Sequence, residues 1–183
     1  MNKKGIDASK HQGIINWNKV KKAGIEFAII RAGYGKSTVD EYFIENIVGA
    51  NTAGIEIGIY WFIYAKNKEE ALKNAEMCHK TIEKYKNIIT MKVWADWEYD
   101  SDNYRPKLTK EERTLFVKAF IDEMIKMGYN CGLYANPDYI KLMEEKEITE
   151  YSKEAFAALD DSYAPPVVED IAPVQQNVEP VAP

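Results

Sequence analysis

Between residues 4 and 145, short apolar runs rich in β-branched and aromatic residues alternate with longer segments of helical periodicity. This is the pattern of repeated β/α units, in which a parallel sheet is built one strand and one helix at a time. The first unit has a strand near Lys4 to Asp7 and a helix near Asn16 to Ala23. A second strand, Phe27 to Ala32, leads through a Gly33-Tyr34-Gly35 loop to a helix near Glu41 to Thr52, where Phe43, Ile47 and Ala50 share a face. The third strand, Ile57 to Tyr64, precedes a helix near Lys68 to Tyr85 with Ala71, Leu72, Ala75, Cys78 and Ile82 on its buried stripe.

The fourth strand, Met91 to Glu98, runs into a loop and then a helix from Lys110 to Met127, with Gly128 as its stop. Thr109 and Glu112 have the spacing of a capping box at the start of that helix, and Phe116, Ala119, Phe120, Met124 and Met127 mark its apolar stripe. A fifth strand, Cys131 to Tyr134, passes through Asn136-Pro137 into a short helix near Asp138 to Glu145. Beyond it the character changes, because all ten glycines and all four tryptophans lie before residue 133 while five of the seven prolines lie at or after Pro165. Residues 1–147 are therefore expected to form one folded domain. Residues 148–183 are expected to add one divergent helix, with Ser152 as its N-cap, and a Pro-rich disordered tail.

A chain of 183 residues, 46% apolar and 29% charged, can bury one substantial core. Its 24 basic and 29 acidic residues give a net charge of −5, the wrong sign for a nucleic-acid or anionic-membrane surface. The segment Met1 to Gly5 runs into Asp7 and Lys10 without an apolar stretch, so no signal peptide and no membrane span are expected. Cys78 and Cys131 lack metal-ligand spacing, and reduced, partly buried thiols are expected. No metal site, phosphate loop or dinucleotide fingerprint is present in the pattern, so no cofactor is expected.

The most informative segment is Met91-Lys92-Val93-Trp94-Ala95-Asp96-Trp97-Glu98. Strand alternation puts Trp94, Asp96 and Glu98 on one face and Met91, Val93, Ala95 and Trp97 on the other. Two carboxyls thus point the same way at the C-terminal end of a β/α strand, where such folds build active sites and where a carboxyl pair suits glycosidic hydrolysis. The plainer reading is a polar strand end paired to a nearby Lys or Arg. Asp7 ends another strand in the same manner and is followed by Ser9, Lys10, His11 and Gln12, a polar cluster that could hydrogen-bond a sugar or simply make a turn. His11 has no matching nucleophile and suits a loop-orienting or hydrogen-bonding role, while His79, in a helical pattern, reads as a surface or satisfied histidine. Tyr64, Tyr134 and Asn136, at strand ends, are candidates for sugar contact, although an aromatic strand is more often core.

Assembled in order, these residues resemble the glycoside hydrolase family 25 muramidases, the Chalaropsis-type lysozymes that include phage endolysins. The likeness rests on five motifs: Gly5-Ile6-Asp7-Ala8-Ser9-Lys10-His11-Gln12-Gly13 with Ile15-Asn16-Trp17; Phe27-Ala28-Ile29-Ile30-Arg31-Ala32-Gly33-Tyr34-Gly35; Gly58-Ile59-Tyr60-Trp61-Phe62; Trp94-Ala95-Asp96-Trp97-Glu98; and Leu133-Tyr134-Ala135-Asn136-Pro137. It implies an α/β fold, a flattened β/α barrel of the (β/α)5β3 type, here expected to be incomplete after its fifth unit. It implies hydrolysis of β-1,4 bonds between N-acetylmuramic acid and N-acetylglucosamine in peptidoglycan, at the cell wall or outside the cell, with Asp7, Asp96 and Glu98 catalytic. Glu98 would be the general acid, raised by burial and by the charge of an ionised Asp96. The alternative is an inactive family member that at most binds cell-wall glycan.

Overall fold

The computed structural model describes residues 3–144 and 147–148. Five parallel strands form one sheet: β1 (Gly5–Ala8), β2 (Phe27–Tyr34), β4 (Glu56–Phe62), β5 (Val93–Trp97) and β6 (Cys131–Ala135), in the spatial order β1-β2-β4-β5-β6. A two-residue strand, β3 (Thr38–Val39), turns back antiparallel onto the end of β2. Each parallel strand is followed by helix: α1 (Trp17–Lys22), α2 (Phe43–Thr52), α3 (Lys68–Ile82), then α4 (Tyr99–Tyr104) with α5 (Lys110–Lys126), and α6 (Pro137–Ile140). The expected five β/α units are therefore present, and among the described residues β1 and β6 each have one strand neighbour.

The period of two along each strand separates two environments. On the helix-covered face Ala28, Ile30, Ile59, Trp61, Ala95 and Trp97 are wholly buried. They pack with Phe43 and Ile47 of α2, Ala75 and Cys78 of α3, and Phe116, Phe120 and Met124 of α5 in one continuous core. Removing one such side chain, Phe120→Ala for instance, should cost about 3–5 kcal/mol through lost transfer energy and the cavity left behind. The opposite face carries Ile29, Arg31, Tyr60, Phe62, Trp94 and Asp96, which line a cavity.

Local chemistry sets the element boundaries. The capping box at α5 forms, with Glu112 N donating to Thr109 Oγ1 at 3.2 Å and Thr109 N donating to Glu112 Oε2 at 3.0 Å. Gly128, at φ 80°, ends the segment in a conformation that suits glycine. Three sequence expectations change. The Gly33-Tyr34-Gly35 segment is not all loop, because β2 continues through Tyr34 and pairs with both β3 and β4. Residues 99–104, expected as loop, form α4. The last helix is only Pro137–Ile140 rather than Asp138 to Glu145. The expectations for residues 149–163 and for Pro165 to Pro183 lie outside the described residues.

Cys78 and Cys131 are buried free thiols. His79 is satisfied by the Tyr129 hydroxyl at 3.0 Å from Nδ1 and by Glu83 at 3.3 Å from Nε2. No described helix is long and apolar enough to cross a membrane.

Candidate active site

At the C-terminal ends of the strands a cavity of about 480 Å³ opens on the face away from the helices. Asp7 enters it from β1, Arg31 and Tyr34 from β2, Tyr60 and Phe62 from β4, Trp94 and Asp96 from β5, and Tyr134 from β6. Glu98 follows β5 directly and is half-buried, whereas Asp96 is 4% exposed. The sequence-derived carboxyls Asp7, Asp96 and Glu98 therefore meet on one rim, with His11, Tyr64 and Tyr134 in the same lining.

A bulge in β2 is what allows Arg31 and Tyr34 to share the cavity face. Residues three apart on a regular strand point to opposite sides. Here the register with β4 passes from Arg31↔Tyr60 to Gly33↔Trp61, leaving Ala32 as the extra residue and resetting the alternation. Gly33 is required at this point, since a Cβ there would collide with the Thr38 carbonyl oxygen and the Trp61 ring. Asp40, its side chain fully buried, accepts from Arg31 Nε at 2.7 Å, from Lys10 N at 3.2 Å and from Tyr42 N at 3.1 Å. That tie fixes both the arginine and the turn after β1. Arg31 Nη2 and Asp96 Oδ1 are buried polar atoms without a hydrogen-bond partner.

The electrostatics follow from crowding three carboxyls beside one guanidinium. Burial, with the Glu98 and Asp7 carboxylates, pushes Asp96 well above the usual carboxylate range, against the pull of Arg31. Asp7 is raised to about 6, mainly by burial, while a hydrogen bond from Tyr60 and the Arg31 charge act the other way. Tyr60 is itself pushed up, by burial and by the neighbouring Asp7. Glu98 is raised by burial and then by Asp100. Against the expected charge pattern, the neighbour that raises Glu98 is Asp100 rather than Asp96, and burial disfavours the anionic form of Asp96.

Aromatic rings wall one side of the opening. Tyr64 stands edge-on to Tyr34 at 6.1 Å between centroids and lies 5.2 Å from Tyr104, whose ring has the Lys66 ammonium 4.9 Å from its centroid. Such faces can stack on the apolar side of a sugar ring. Among the described residues no group of three or more His, Cys, Asp or Glu is arranged to hold a metal ion.

Residues 6–156 match the family described as glycosyl hydrolases family 25. The chain belongs to that family. The family 25 chain is 48% identical over 58 residues to lysozyme M1 of Streptomyces globisporus, covering 32% of this chain and 20% of that protein. It is 27% identical over 138 residues to the autolytic lysozyme of Clostridium acetobutylicum, covering 75% of this chain and 40% of that protein. It thus spans well under half of either curated relative. Among solved structures, the modular autolysin LytC from Streptococcus pneumoniae, in complex with a synthetic peptidoglycan ligand, superposes with a TM-score of 0.72 at 27% identity, covering 81% of this chain and 36% of that one. A family 25 glycosyl hydrolase from Bacillus anthracis gives 0.68 at 28% identity, covering 78% of this chain and 64% of that one.

Within the family 25 chain, Asn136 sits apart from the other candidates. It does not line the cavity; its side chain accepts from Asp138 N at 3.4 Å as the N-cap of α6. Sequence reasoning passed over Arg31, Tyr34, Tyr60, Phe62, Trp94 and Asp100 as site residues, all of which line the cavity. For Tyr60 and Phe62 the signal was present, since they share the strand parity that placed Trp94 and Asp96 together.

Proposed function

We propose that this chain is an N-acetylmuramidase, a lysozyme that hydrolyses β-1,4 bonds between N-acetylmuramic acid and N-acetylglucosamine in the glycan strands of peptidoglycan, at the cell wall. The observation that carries the reading is the meeting of Asp7, Asp96 and Glu98 at one end of an aromatic-lined cleft. Glu98 acts as general acid: burial and Asp100 favour its protonated form, and it is only half-buried and within reach of a substrate. It gives that proton to the glycosidic oxygen as the C1–O bond breaks, and the bonding pair leaves with the oxygen.

Positive charge then develops at C1 and the ring oxygen. A carboxylate at the Asp96 position is poorly solvated, so it gains more from that charge than from the neutral ground-state sugar. Its stabilisation is therefore concentrated in the transition state. The oxygen that attacks C1, whether of a carboxylate, the substrate acetamido group or water, completes the substitution, and water finally supplies the hydroxyl. Asp7, bonded to Tyr60 and facing Arg31, holds the polar floor of the site. His11, Tyr64 and Tyr134 contact the glycan.

Turbidity clearing of purified peptidoglycan, combined with a sedimentation assay for binding, tests this reading. The parent chain should clear the suspension, and Glu98→Gln should bind it without clearing. Binding without clearing by the parent chain would instead favour a glycan-binding family member with no hydrolytic activity.

A further inference from the structure

Immediately after Glu98 the chain enters α4, a six-residue helix with the sequence Tyr-Asp-Ser-Asp-Asn-Tyr. Asp, Ser and Asn are weak helix formers, and a single isolated turn does not persist in water. The surrounding protein holds it. Glu98 N donates to Ser101 Oγ at 3.2 Å, Ser101 N donates back to the Glu98 carbonyl at 3.0 Å, and Ser101 is wholly buried. One residue on, Asp102 accepts from Trp97 Nε1 of β5 at 3.1 Å. The same carboxylate takes a two-pronged contact from Arg113 of α5, Nε to Oδ1 at 2.7 Å and Nη2 to Oδ2 at 2.6 Å. Arg113 Nη1 in turn reaches the Leu142 carbonyl at 3.4 Å.

The division of labour along this turn is sharp. Glu98 and Asp100 line the cavity, whereas Ser101 and Asp102 are outside its lining and bind the protein behind it. We infer that the Trp97–Asp102–Arg113 contact is a positioning device for the acid: by fastening α4 to β5 and α5 it fixes the Glu98 backbone and keeps Asp100 beside the Glu98 carboxyl. Asp102 and Arg113 are positioning residues; neither meets the substrate. The inference rests on the reading of Glu98 as general acid. A two-pronged guanidinium–carboxylate contact suits this task because it sets orientation as well as distance. Misplacing a reacting group by about 1 Å can lower a rate about 10²-fold.

The groups facing Glu98 are Asp100 on α4, Asp96 on β5, Asp7 on β1 and Tyr139 on α6. Of these only Asp100 is carried by α4, so loosening the helix removes its charge selectively. The test is Asp102→Asn, which keeps the side chain's size and abolishes its charge, compared with the parent on a soluble peptidoglycan fragment. kcat should fall about 10- to 100-fold with KM within about twofold. The alkaline limb of the rate profile should move to lower pH, because Glu98 without Asp100 nearby gives up its proton more easily. Arg113→Lys, which retains the charge and one contact, should lie between parent and Asp102→Asn.

NMR titration of the Glu98 carboxyl provides a readout independent of turnover: its midpoint should be lower in Asp102→Asn than in the parent. A folded Asp102→Asn chain with parental kcat and a parental Glu98 midpoint would overturn the inference. Should Asp102→Asn not fold, Ser101→Ala decides, since it leaves the Asp102–Arg113 contact intact and frees only the Glu98 amide. A several-fold drop in kcat at constant KM supports the inference and an unchanged kcat refutes it. A parent chain inactive on the fragment would count against the muramidase reading alone, and the Glu98 titration would still decide the positioning role.

Discussion

Acidic side chains at two places in this molecule behave in opposite ways. Glu69 and Glu70, in the first turn of α3, are held in the charged form: Glu69 is lowered by its contact with Lys73, and Glu70, despite some burial, is lowered by Lys36 and by the Lys66 amide. Asp7, Asp96 and Glu98 on the sheet rim are all raised, burial being the largest cause in each. The same chemistry on a solvated helix end complements backbone charge and neighbouring lysines. Gathered on a rim with one arginine for three carboxyls, the same groups hold their protons more tightly than free carboxyls do. The lesson is that carboxyls withheld from solvation and from full pairing mark the working site, and carboxyls satisfied on the surface do not.

The largest effect that could break this contrast is at Glu98. Glu98→Gln should lower glycan cleavage by about 10² to 10⁴, the contribution of a placed general acid, without change in urea midpoint; near-parental rates would place the acid elsewhere. Next comes Arg31→Met, which leaves the buried Asp40 carboxylate without its cation and should cost about 3 kcal/mol in urea unfolding. A loss well below that would mean the two backbone amides on Asp40 suffice.

A smaller effect follows from Asp7. Its folded value of about 6 lies above the ordinary 3.8, so the folded chain binds this proton more tightly than the unfolded one. Stability should therefore fall as pH rises from about 4 to 6 and stay lower above, by roughly 1–3 kcal/mol. Asp7→Asn should be more stable than the parent at pH 7 and equal to it near pH 4; equal stability at both would remove Asp7 from the strained set. The smallest effect is at Glu69, an exposed partner of Lys73, where Glu69→Gln should leave the unfolding midpoint unresolved from the parent.

The legible part of the sequence was whatever obeys a simple period or a local cap. Period two along β5 was enough to put Asp96 and Glu98 together, and the Thr109/Glu112 spacing was enough to start α5. The bulge at Ala32 was not legible, because one extra residue breaks the alternation that any strand reading assumes. Tyr34, beyond the bulge, was missed with it. Helix α4 was hidden for a different reason: its polar residues favour turns, and what makes it a helix is Asp102 held by Trp97 and Arg113, which are far from obvious as partners in the sequence. Asn136 illustrates the converse, a strand-end polar residue whose side chain is used up as a cap.

The most direct measurement is the identity of the new reducing ends released from purified peptidoglycan by the parent chain and by Glu98→Gln, read by mass spectrometry after borohydride reduction. The parent should release fragments ending in reduced N-acetylmuramic acid, and Glu98→Gln should release essentially none. Fragments ending in reduced N-acetylglucosamine, or equal release by both chains, would contradict a muramidase that works through Glu98.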